Sequence, residues 1–173
     1  MRLPFLYLFL ILFLFACHPK EDSVLSKISL EEYESLMAMT EDEFDQTPNE
    51  GWRKYQGEFA LQIKLIQDYL ERNQSSNQTM VWHIGQLYGM LGEYDQAIPY
   101  FERCVRPVQD QDIYRIAWNY YVHGTIAFMR RDEARLDLYI DSLQNHDETM
   151  NIEVLMRLKN GFSKSYKEAY SGS

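Results

Sequence analysis

Three side chains within the helical patterns could act as base, ligand or nucleophile: His83, His123 and Cys104. A metal site needs several ligands at matched spacing, and no HExxH, CxxC or histidine cluster accompanies any of them. No GxSxG, phosphate-binding glycine loop or paired-carboxylate motif occurs either. Cys104 takes a small, core-type position on a helical pattern, which suits a packing thiol better than a nucleophile. His83 and His123 lie within helical patterns and read as packing residues. The acidic run "EDEFD", Glu41 to Asp45, reads as solvated helix capping. No catalytic residue, metal or cofactor is expected. The alternative, a small envelope hydrolase or ligand-binding enzyme using His83 or His123, stays open.

Helical patterns position these residues. Strand signals are nearly absent, since Val, Ile and Thr are scattered without alternation. Ser29 with Glu32, and Thr40 with Glu43, stand at capping-box spacing, and Pro48 stops the second segment. Further helices are expected at 52–55, 58–72, 80–91, 94–105, 111–129, 133–144 and 150–159. Gly57, "NQSSNQT", Gly92, Pro107, "RRD", "NHD" and Asn160-Gly161 break them.

The N-terminus does not belong to this body. Arg2 precedes an uncharged apolar run, Phe5 to Ala16, which ends at a small residue before Cys17. A dozen residues fall short of the roughly 20 of a membrane span and fit a cleaved secretory segment, 1–16. Its removal takes away one positive charge, Arg2, and moves the formal net charge from −9 to −10. Such an acidic surface argues against nucleic acid. Only Cys17 and Cys104 remain, so an intramolecular framework of disulfides is not expected.

Leu14 to Cys17, "LFAC", resembles the lipobox of bacterial lipoproteins. That family implies acyl chains on Cys17, a membrane-held tether over 17–28 and a place in the cell envelope, on the periplasmic or surface face of the outer membrane. More than one chain makes such an anchor stable. Lys20 to Asp22 is similar to the lysine-plus-acidic tract of some Bacteroidetes surface lipoproteins. An ordinary cleaved signal with an incidental cysteine is the alternative.

"HIGQLYGMLGEYDQAIPYFERC", 83–104, resembles a tetratricopeptide repeat, a helical hairpin of about 34 residues. Ile84-Gly85, Tyr88, Gly92, Tyr94, Ala97, Phe101 and Pro107 stand at the family's positions, and Trp82 lies one position late. "GEF" at 57 recurs as "GEY" at 92, 35 residues on. A shift of 39 aligns Gly124 with Gly85, Leu136 with Ala97 and Ile140 with Phe101, and puts Arg131 at the turn glycine. The resemblance implies an all-α fold of TPR-like hairpins over 29–170, closed by a helix from Met150. It also implies a groove lined by first helices, here Trp82, Gln86 and Met90 with Trp118, Tyr121, Thr125 and Phe128. An envelope protein or peptide is the partner such a module implies. Burial of this face under neighbouring helices is the other outcome.

Overall fold

The computed structural model describes residues 24–107, 113–144 and 149–173, and among them every regular element is helical. The chain is all-α. The expected signal segment 1–16, Cys17, most of the expected tether and the helix start placed at Gln111 lie outside the described residues.

The elements run α1 (Leu30–Met37), a π-helical turn (Asp42–Gln46), a 3₁₀ turn (Gly51–Lys54), α2 (Phe59–Arg72), α3 (Gln78–Leu91), α4 (Tyr94–Arg103), α5 (Ile113–Met129), α6 (Glu133–Gln144), α7 (Thr149–Asn160) and α8 (Tyr166–Ser171). Ser29 caps α1 by accepting from the Glu32 amide at 3.1 Å. The Thr40–Glu43 box forms in both directions, at 2.9 and 3.3 Å, but it opens the π-helical turn rather than an α-helix. Helix α3 starts two residues before its apolar pattern, because Asn77 accepts from the amides of Thr79 and Met80. The unexpected element is α8, opened by a reciprocal Ser165–Glu168 box.

The turns repeat in register. Gly92 is left-handed at φ 79°, its amide bonds the Gly89 carbonyl and the Glu93 amide bonds that of Tyr88. This is a helix C-cap of Schellman type. At the 39-residue shift Arg131 is left-handed at φ 56°, with the same two bonds, to Phe128 and from Asp132 to Ala127. A non-glycine residue pays about 1–2 kcal/mol for that conformation. At Arg131 its own guanidinium offsets the cost, lying over the Phe128 ring and donating to the carbonyls of Phe162 and Lys164.

Packing follows chain order: α2 on α3, α3 on α4, α4 on α5, α5 on α6 and α6 on α7, while α7 also meets α5, and α8 folds back onto α3. Two cores result. Leu36, Phe44, Trp52, Ile66, Tyr69 and Ile84 belong to the N-terminal one, and Trp82, Phe101, Phe128, Leu136, Leu155 and Tyr166 to the C-terminal one. Gly85 brings α3 against α4 so closely that a Cβ there would lie 2.8 Å from the Phe101 ring.

Gly51 and Gly57 are both left-handed, at φ 49° and 85°, but a Cβ on Gly51 would meet the Phe44 carbonyl oxygen at 1.9 Å, whereas Gly57 faces open space. Gly57→Ala should cost about 1 kcal/mol of conformational strain. Gly51→Ala should cost more than about 3 kcal/mol, since backbone atoms must move. Urea unfolding reads both, and equal losses would contradict this geometry.

Candidate functional site

The face expected to form an open groove is mostly interior. Trp82 is only 6% exposed, with ring centres of Phe101, Trp118 and Tyr121 at 4.5, 4.9 and 5.1 Å. Tyr121, Thr125 and Phe128 are buried too, and Thr125 spends its hydroxyl on the Tyr121 carbonyl at 3.0 Å. The covering residues come from the end of the chain. Leu155 of α7 packs onto Gly124, and Tyr166 of α8 packs onto Gly89 and Phe128. Four of the seven expected groove residues, Trp82, Tyr121, Thr125 and Phe128, are therefore core. Trp118 is half-buried, donating to the Cys104 carbonyl at 2.8 Å under the Arg106 guanidinium.

Gln86 and Met90 open elsewhere. They share an α3 face with His83 and Leu87, at spacings of three, four and seven from His83, and that face borders a cleft of about 670 Å³. The 3₁₀ turn supplies Trp52 and Arg53, α2 supplies Phe59 and Gln62, and α8 supplies Tyr170. A cleft of this volume is of the size that holds a small ligand or a short chain segment.

Behind its wall lies Asp45, 0% exposed, which corrects the expectation of a solvated acidic cap. A buried carboxylate needs partners, and Asp45 has several. Its Oδ1 accepts from Trp52 Nε1 at 2.8 Å and meets His83 Nδ1 at 2.9 Å and Arg53 Nη2 at 3.5 Å. Its Oδ2 accepts from Gln46, and its backbone carbonyl accepts from Arg53 Nε. Burial pushes the Asp45 carboxyl up, but the bonds and charges of His83, Trp52 and Arg53 outweigh it and hold the group below the ordinary carboxylate range. The Arg53 guanidinium carbon also lies over the Trp52 ring, 4.3 Å from its centre.

His83 is thus more than packing: it ties α3 to the N-terminal segment. A general base presents a free ring nitrogen to its substrate, yet His83 Nε2 faces Arg53 Nη2 at 3.5 Å. No Ser, Thr or Cys lines the cleft. Among the described residues no three His, Cys, Asp or Glu side chains are grouped to hold a metal ion. His123 stacks on Tyr139 at 5.4 Å, and burial, then Arg130, holds its imidazole below the usual value. Burial likewise pushes the Cys104 thiol up to about 11, far from a reactive thiolate.

Gln62 is the least expected member. It is 4% exposed, its Nε2 donates to the Trp52 carbonyl at 3.4 Å, and its buried Oε1 has no partner. Leaving such an acceptor unmatched costs about 1–3 kcal/mol. Nearby, Gln86 Nε2 donates to the Tyr170 hydroxyl at 3.2 Å.

Sequence reasoning passed over Asp45, Trp52, Arg53, Gln62 and Tyr170 as a site, because their meeting place joins residues up to 84 positions apart. The one local signal was Asp45 next to Phe44, an acidic residue beside a ring that turns out wholly buried. No family model matches the chain, and neither does any curated protein or solved structure.

Because the folded Asp45 carboxyl titrates below its unfolded value, the unfolded state binds the proton first as pH falls. The stabilisation is complete above the unfolded value, near 4, and is lost as pH drops through the folded one. Asp45→Asn should cost about 2 kcal/mol at pH 7 and should flatten the acid side of the stability profile. Urea midpoints measured from pH 7 to 3 check this: parallel curves for variant and wild type would rule it out.

Proposed function

We propose that this chain is a lipid-anchored binding module of the cell envelope, built of TPR-like helical hairpins, which takes a segment of a protein partner in the cleft beside His83. The observation that carries the reading is the unmatched Oε1 of buried Gln62, set among Arg53, His83 and Gln86 whose side chains are held by internal bonds. Side chains ordered in advance lose less entropy on binding. The matching left-handed turns at Gly92 and Arg131, and the Gly85 approach to Phe101, support the hairpin repeat.

The lipobox-like "LFAC" supports the anchor. Val24, Leu25 and Ile28 already pack on the N-terminal core, so six residues lie between Cys17 and the folded body, seven chain steps in all. Fully extended they reach about 25 Å. A module on so short a leash meets envelope partners at a raised effective concentration. No helix among the described residues is long and apolar enough to cross a membrane.

A second reading, a small envelope hydrolase, draws on the Asp45–His83 bond, which resembles a base with its orienting carboxylate. Arg53 at the outer nitrogen, with no Ser, Thr or Cys among the described lining residues, weighs against it.

Two measurements test the proposal. Radioactive palmitate should label the wild type and not Cys17→Ala, and equal label would end the anchor. A photo-crosslinker replacing exposed Gln56 at the cleft rim should give discrete protein adducts in cells that the same group at exposed Leu138 does not give. Identical adducts from both positions would overturn the cleft as the recognition surface.

A further inference from the structure

We propose that the cleft reads the backbone of an extended, uncharged peptide segment, with Gln62 Oε1 accepting one of its amide N–H groups and Arg53 Nη1 donating to a peptide carbonyl. This rests on the binding-module reading and names the chemistry of the partner.

Charge is the first argument. None of the residues lining the cleft is acidic, although the chain carries 26 Asp and Glu. Its single guanidinium, Arg53, is already balanced by the Asp45 carboxylate behind the wall. An ionised ligand group would therefore meet no unpaired charge among the lining residues, so recognition there falls to dipoles.

The dipoles are carboxamides. Gln46, Asn49, Gln56, Gln62 and Gln86 all line the cleft. In four of them the amide nitrogen is held: Gln46 on Asp45, Gln56 on Asn49 Oδ1 at 3.0 Å, Gln62 on the Trp52 carbonyl and Gln86 on Tyr170. Fixing the nitrogens leaves the carbonyl oxygens to accept, and that of Gln62 is buried, so a ligand reaches it by parting the wall. Arg53 has the complementary role. Its Nε and Nη2 are engaged within the protein, and Nη1 remains to donate. A peptide chain offers N–H and C=O groups in alternation, one residue every 3.4 Å or so when extended, and matches such a mixed wall without any charge.

Saccharides also carry mixed donors and acceptors, but a sugar ring gains much of its hold by lying on an open aromatic face. The rings here are occupied. Trp52 is buried under Arg53, the Lys167 ammonium stands 5.3 Å from the Phe59 ring centre, and the Arg157 guanidinium stands 6.0 Å from that of Tyr170. The observations favour amide recognition.

The test screens detergent-solubilised full-length protein against a library of N-acetylated, C-amidated hexapeptides lacking Asp, Glu, Lys and Arg. Enriched sequences are then measured by fluorescence anisotropy, each with a series methylated at one backbone nitrogen at a time. One N-methyl position should weaken binding at least tenfold. Gln62→Leu should weaken the unmethylated peptide by a similar factor and should abolish the further loss at that position. Should Gln62→Leu melt far below the wild type, Gln86→Met carries the same comparison from a half-buried site. No enriched peptide, affinity indifferent to N-methylation, or tighter binding of maltohexaose or chitohexaose would each overturn the inference. Specific adducts from the Gln56 crosslinker without any peptide binding would remove this inference and leave the module standing. Peptide binding without adducts would do the reverse.

Discussion

Helix α3 has to bury two faces at once, and the rest of the molecule is arranged around that demand. Met80, Ile84 and Leu87 face the N-terminal core, while Val81 and Trp82 face the C-terminal one. A helix apolar on so much of its circumference cannot sit at a surface. It must be a shared wall, with α2 on one side and α4, α5 and α8 on the others. Gly85 and Gly89 make this possible by removing side chains where Phe101, Met129 and Tyr166 press in. The strip between the two cores, His83, Gln86 and Met90, is the part of α3 that borders the cleft, so the cleft's position follows from the packing.

Asp45 supplies the second constraint. A carboxylate with no exposed surface is tolerable only where donors converge on it, and Trp52, Arg53, Gln46 and His83 do so from the 3₁₀ turn, the π-helical turn and α3. Such a centre adds less to net stability than its bond count suggests, because desolvation offsets much of the attraction. What it adds is register: the segment from α1 to the 3₁₀ turn can dock on α3 in one way that satisfies the charge. The same docking builds one side of the cleft, and it fixes Arg53 and the Trp52 carbonyl that holds Gln62.

Local signals in the sequence located most helices, and Glu133–Gln144 falls where it was expected, because Asp132 accepts from the Arg135 amide and marks the start. The break at "RRD" was legible locally, but the left-handed turn at Arg131 was legible only through its alignment with Gly92, since arginine by itself does not announce that conformation. Helix α8 was not legible: six residues are too few to display an apolar period, and only its capping box gives it away. The candidate groove misled for a related reason. Trp82, Tyr121 and Phe128 do share a face, but a stripe of aromatic residues at helical spacing carries no mark that says whether later chain will cover it. Here α7 and α8 cover it.

That covering changes where recognition can occur. A solenoid of few repeats has two open ends and little core, so its terminal helices are needed to seal apolar surface. In this chain the C-terminal helices lie on α3 and α5 themselves, with Tyr166 wholly buried against both. The face on which first helices would receive a partner is filled by the protein's own residues. What remains open is the seam where the N-terminal segment, α2, α3 and the last turn of α8 meet without closing. A seam is built by side chains from remote parts of the sequence, which is why its polar groups are tied to one another across 10 to 84 residues. Opening or tightening it involves both ends of the described fold, so a ligand held there would stiffen the N-terminal segment against the C-terminal helix.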